Sequence, residues 1–206
     1  MKMVLGMALA VAAAWAQYKV EAGGAPPAEL AAPISADLQE KGWKVLKPDG
    51  SVWCELWFLK KAPAGPVTTE SDVTWKTIPP GSLVGAIRWP AQGNDRRGQN
   101  MKPGAYTLRF SMQPINGDHQ GVAPQRDFLV MSHAADDKTR EAVAKFDDLM
   151  NMSRKVSGTP HPAILSMWSA ESDFKPGMTQ QGESDWALMT QVGEAKIAVI
   201  LVGKAE

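Results

Sequence analysis

The chain of 206 residues has one cysteine, two tyrosines and no surplus of charge, with 22 Lys and Arg against 22 Asp and Glu. One cysteine cannot close an intramolecular disulfide, so stability has to come from burial. Balanced charge offers no extended field of one sign, which excludes a nonspecific nucleic-acid binder. No apolar run reaches the roughly 20 residues of a spanning helix. The longest covers residues 3–14, follows Lys2 and leads into Ala14-Trp15-Ala16. A positive start, a short apolar core and a small-x-small pattern predict a signal peptide over residues 1–16, cleaved before Gln17. No cysteine lies near the cut, so no lipid anchor is expected. The expected location is periplasmic or secreted, without a membrane anchor after cleavage.

The recognised signatures of cofactor chemistry are missing as well. His119, His133 and His161 show no HxH or HxxxH spacing and have no cysteine partners, so no zinc or copper site is expected. The acidic residues lack an EF-hand's periodicity. There is no G-x-S-x-G elbow and no glycine-rich phosphate loop. His133 with Asp136 and Asp137 could ligate a metal, but capping of a helix start explains the aspartates more simply. No metal and no other cofactor is expected.

What is present reads as strands. Residues 17–34 are dominated by Ala, Gly and Pro and read as a flexible lead-in, so residues 35–206 form the single folded domain. Residues 42–46 and 51–59 flank Lys47-Pro48-Asp49-Gly50, a hairpin signal. Further strand-like runs cover residues 73–78, 83–89, 105–112 and 128–132, and a closing hairpin pairs 186–192 with 196–202. One segment departs from period two. Over residues 137–152, Val143, Phe146, Leu149 and Met150 recur at helical spacing, with Asp136 or Asp137 as cap and Arg154 and Lys155 near the end. The expected fold is mainly β: an antiparallel β-sandwich with one inserted amphipathic helix near residues 137–152.

Cys54 lies in the alternating run Val52-Trp53-Cys54-Glu55-Leu56-Trp57-Phe58 and reads as a buried structural thiol. On the opposite side of that strand, Trp53, Glu55 and Trp57 form a candidate ligand platform, two flat rings flanking a carboxylate that can accept hydroxyl hydrogen bonds. Core packing of the same rings is the competing reading. Asp118, His119, Arg126 and Asp127 form a second cluster, in one long loop. A carboxylate beside an imidazole can orient a base or a ligand, whereas an Arg and carboxylate pair can simply hold the loop's shape.

The most distinctive stretch runs Lys102-Pro103-Gly104-Ala105-Tyr106-Thr107-Leu108-Arg109, then Gln113-Pro114, Gly117-Asp118-His119, Gly121, Pro124 and Arg126-Asp127-Phe128. With Leu83-Val84-Gly85 and Arg97-Gly98 before it, this KPGxYTLR and QPxxGDHxGxxPxRDF pattern resembles a group of exported, uncharacterised bacterial β-rich proteins. The likeness covers residues 75–168. It implies a secreted β-rich protein and transfers no catalytic residue. The expected function is noncatalytic binding of a small molecule, glycan or partner protein. The alternative is a small hydrolase or metal-assisted enzyme using Asp118, His119 and Asp127.

Overall fold

The computed structural model describes residues 17–115, 125–170 and 175–205. The expected signal peptide, Asp118 and His119 lie outside the described residues. Among these, the chain forms β1 (Lys19–Ala22), α1 (Ala32–Asp37), β2 (Trp43–Leu46), β3 (Val52–Phe58), β4 (Leu83–Trp89), β5 (Gly93–Asn94) and β6 (Asn100–Met101). Then follow β7 (Gly104–Met112), β8 (Asp127–His133), α2 (Phe146–Ser157), β9 (Ile164–Ser169), β10 (Gly177–Gln181), β11 (Asp185–Val192) and β12 (Ala195–Val202).

The fold is mainly β and antiparallel throughout. Ten strands form one sheet in the order β1-β2-β3-β4-β7-β8-β9-β12-β11-β10, and its two edge strands lie close to one another. The sheet is therefore curled into a nearly closed barrel, in which opposite walls bury each other's apolar faces as two sandwich layers would. Leu56, Ile87, Tyr106, Leu108, Phe110, Leu129, Met131, Leu165, Met167, Leu188 and Val199 alternate along their strands into one shared core. Two tryptophans tie the walls together across it. Trp43 Nε1 of β2 donates to Thr190 Oγ1 of β11 at 2.8 Å, and Trp53 Nε1 of β3 donates to the Leu201 carbonyl of β12 at 2.9 Å.

Three expectations need correction. The helix begins at Phe146, not near residue 137, and ends at Gly158 in the left-handed conformation that glycine favours. Asp137 does not cap it, because Arg109 on the outer face of β7 takes that carboxylate in a two-pronged pair, 2.6 Å from Nε and 2.7 Å from Nη2. Thr107 adds a bond at 2.5 Å, and the carbonyls of Gly81, Thr139 and Glu141 accept the remaining guanidinium donors. Arg109 is fully buried. Removing its carboxylate would cost about 3–5 kcal/mol, more than a single turn of helix contributes, so residues 134–145 lie as a loop over the sheet.

Residues 73–78 are not a strand: Val73, Trp75 and Ile78 turn inward as part of a connection between β3 and β4. Finally, ordered packing extends into the segment read as a flexible lead-in. β1 pairs with β2, Leu30 and Ile34 are buried, and Gly23 N–H bonds to the Gly42 carbonyl at 2.7 Å.

Candidate functional site

The strand register gives the barrel two ends. At one lie Phe58, Leu83, Met112, Asp127 and Ser169; at the other lie the starts of β1, β3, β9 and β11 and the ends of β2, β4, β8 and β12.

The predicted platform does not form. Between Val45 and Leu46 the register of β2 against β3 slips, leaving Trp53 as the extra residue of a β-bulge. A bulge re-aims the side chain it carries. Trp53 turns edge-on to Trp89, with ring centroids 5.1 Å apart, and is half-buried at the barrel mouth. Trp57 stays on the outer face but is only 2% exposed, its Nε1 bonded to the Gly24 carbonyl at 2.8 Å. A Cβ at position 42 would stand 2.6 Å from that Nε1, so glycine is what lets the 23–42 crossing lie on the indole. Glu55 meets Arg88 across the strand pair at 3.5 Å. The two rings thus face different environments, and Trp53 borders a cavity.

Arg126 and Asp127 come together, but as fasteners. Arg126 Nε donates to the Gln113 carbonyl at 2.6 Å, and its Nη1 reaches Glu70 Oε2 at 2.7 Å and the Ser71 carbonyl at 3.2 Å. Its backbone N–H bonds to the carbonyl of Asp72, which sits at φ +58°, a conformation Asp tolerates better than most residues. Asp127 Oδ2 accepts the Thr74 N–H at 2.6 Å and the Thr74 hydroxyl, while Ser169 N–H donates to that same hydroxyl at 2.8 Å. Asp127 Oδ1 is buried, and the Trp75 backbone N–H also bears on this carboxylate. Burial pushes the Asp127 carboxyl above its ordinary value, against the Thr74 bonds that favour the charged form. These residues pin the 61–82 connection across the barrel, where Trp75 meets Phe110 edge-on at 6.1 Å.

The opposite end holds a cup of about 400 Å³. Trp53, Tyr18, Asn94 and Lys204 supply its aromatic and polar wall, and Leu201 its apolar base. Sequence reasoning found Trp53 but missed the others, since their convergence depends on closing the barrel. A second bulge faces the first. Between Trp186 and Ala187 the register on β12 skips Leu201, so its carbonyl leaves the ladder and accepts the Trp53 indole. Both bulges sit at a barrel rim, where such features commonly shape sites. Tyr18 packs against Trp186 at 5.8 Å, and burial raises its hydroxyl's pKa, with a smaller push from Asp49.

The cup's walls are held from behind. Asp95 accepts the backbone N–H groups of Arg97 (3.0 Å), Gln99 (2.7 Å) and Ile164 (3.2 Å), and Gln99 Nε2 at 2.7 Å. Burial raises its carboxyl in spite of those four bonds. This knot fixes the 94–99 loop. Arg96 then pairs with Asp185 at 2.7 Å, and its carbonyl accepts Ala205 N–H at 2.9 Å, strapping the end of β12 to the same loop. Gly203, at φ +114°, passes so close that a Cβ would strike Asp185 Oδ1.

A furrow of about 440 Å³ lies at the other end, beside residues 61–64. Its Asp37 and Arg140 neutralise one another at 3.1 Å, and among the described residues no aromatic ring lines it, so it has less with which to hold a ligand. Among the described residues no group of three or more His, Cys, Asp and Glu is placed to hold a metal ion. No helix among them is long and apolar enough to cross a membrane. No protein-family model, curated protein or solved structure matches this chain.

Proposed function

We propose that the protein is exported after cleavage before Gln17 and binds a small uncharged, hydroxyl-rich ligand of the saccharide class in the barrel mouth, without catalysis. The observation that carries this reading is the indole of Trp53, displaced by a bulge and standing in the wall of a cup of about 400 Å³. That volume suits a small ligand. An aromatic face takes the apolar C–H side of a sugar ring, while Asn94, Lys204 and the Tyr18 hydroxyl offer donors and an acceptor to its rim. Among the described residues no carboxylate lines the cup, so those residues provide no paired acid and base for glycoside hydrolysis.

The test is calorimetric titration of the purified protein with glucose, N-acetylglucosamine and cellobiose, with tryptophan fluorescence read in parallel. At least one should bind with Kd of about 1 mM or tighter, and Trp53→Ala should weaken it about tenfold or more while the protein stays folded. Absence of heat and of any fluorescence change with all three, up to about 10 mM, would remove the saccharide reading.

A further inference from the structure

The cup at the barrel mouth holds more than an aromatic wall. A cavity of about 150 Å³ accommodates one six-membered carbon ring. At about 400 Å³ the cup has room for a ring and for a substituent of several heavy atoms. The lining decides what kind of substituent that is. Its base is aliphatic, with Leu201 and Val202 side by side. Neighbours on a regular strand point to opposite faces, but the bulge at Leu201 interrupts that alternation, so the two share one cavity. Hydroxyl groups laid on this base would leave water and gain no partner. A methyl group gains by leaving water.

Above that base stand an amide and an ammonium group, both held in advance. Asn94 of β5 lies opposite Asn100 of β6, and its Nδ2 donates to Asn100 Oδ1 at 3.2 Å. The bond fixes the plane of the Asn94 amide and leaves its Oδ1 as an acceptor. The next residue is Asp95, whose buried bonds hold the loop, so the amide stands on a rigid footing. Lys204 is steered by Gly98, another residue of the cup wall at φ +76°, where a Cβ would stand 2.9 Å from the lysine Cδ and 3.0 Å from its Cε. Glycine there lets the methylene stem lie against the wall while the ammonium group keeps its donors. Lys47 stands over the Trp53 ring, 5.5 Å from its centroid, and is outside the lining, so the cup meets the part of the ring that Lys47 leaves.

An acceptor, a donor and an aliphatic floor beside one aromatic ring are the complement of an acetamide, with its N–H, its carbonyl and its methyl. We infer that the ligand of the cup is an N-acetylated amino sugar, its ring on Trp53, its acetamido N–H on Asn94 Oδ1, its acetyl carbonyl on Lys204 Nζ and its methyl on Leu201 and Val202. The inference rests on the saccharide reading and narrows it to one class of sugar. A plain hexose carries no group that uses all three features together. A free amino sugar brings a second cation to Lys204 and has no methyl for the floor.

N-acetylglucosamine, glucose and glucosamine, titrated into the purified protein by calorimetry and protein-observed NMR, test this. N-acetylglucosamine should bind about tenfold tighter than glucose, with glucosamine no tighter than glucose. Asn94→Ala should bring that preference down to about threefold or less and change glucose affinity little. Lys204→Met, which keeps the stem and removes the ammonium group, should do the same. Both residues are exposed, so a thermal melt of each variant should stay near that of the parent, and either one suffices if the other unfolds. Trp53→Ala should weaken all three sugars together. Equal affinity for glucose and N-acetylglucosamine, or a preference untouched by both rim variants, would overturn the acetamide assignment and leave the saccharide reading standing. No binding of any of the three up to about 10 mM would overturn both.

Discussion

At the Asp127 end a chain segment is driven into the barrel and fastened, whereas at the Trp53 end the surrounding loops are fastened to each other and the middle is left open. The contrast rests on two buried carboxylates. Asp95 receives four N–H donors and holds the rim of the cup rigid. Asp127 receives the amide and hydroxyl of Thr74 on one oxygen, with the Trp75 backbone N–H also bearing on the carboxylate, and thereby pins Trp75 beneath it. The same chemical device seals one opening and props the other. The difference lies in whether the donor belongs to the rim or to a segment crossing the hole.

The largest test of this comparison is Trp75→Ala. With the indole buried against Phe110, its loss should destabilise the protein by about 3–5 kcal/mol in urea unfolding. A cost under about 1 kcal/mol would mean the segment is laid over the barrel and not into it.

Asp127→Asn should be milder, about 1–3 kcal/mol at acid pH, because an amide must then occupy a pocket built around Thr74 donors. Its pH dependence is the sharper readout. Burial holds the folded-state carboxyl above its unfolded value. The stabilisation it provides is complete below the unfolded pKa of about 4 and is lost as pH rises through the raised value. The wild-type advantage over Asp127→Asn should therefore shrink as pH climbs out of the acid range. Asp95, present in both proteins, drops out of the difference. A gap that widens with pH would reverse the sign assigned to Asp127.

The smallest effect belongs to Glu55. Its contact with Arg88 is long, and the arginine is nearly half exposed, so Glu55→Gln should change stability by no more than about 0.5 kcal/mol. A larger loss would show the outer face near Trp57 to be doing more than covering a core residue.

Much of the barrel was legible from pattern alone. Residues 83–89 and the hairpins 42–59 and 186–202 stand out as strand-like runs bounded by turn signals, and pairing in the folded chain follows those runs. β10 was missed because its side chains are largely polar and exposed, and β1 because Gly and Pro after it masked a short strand. Closure into one sheet instead of two depends on β9 joining β8 to β12, a long-range choice with no local mark. The helix boundary moved for a similar reason: nothing in Thr107-Leu108-Arg109 announces that the arginine will be buried and will claim Asp137. At the candidate site, period-two reasoning put Trp53 beside Trp57. A single bulge separated them, and a bulge is a property of two strands rather than of one.

Cys54 completes the account of what the barrel encloses. Its thiol is fully buried, and burial, with the nearby Glu55 charge adding to it, holds the sulfur well above its ordinary pKa. An unpaired thiol of this kind is shielded twice, from contact with oxidants and from the ionisation that would make it react. Its slow modification by an alkylating reagent would then serve as a clock for how often the β2–β3 wall parts from its neighbours.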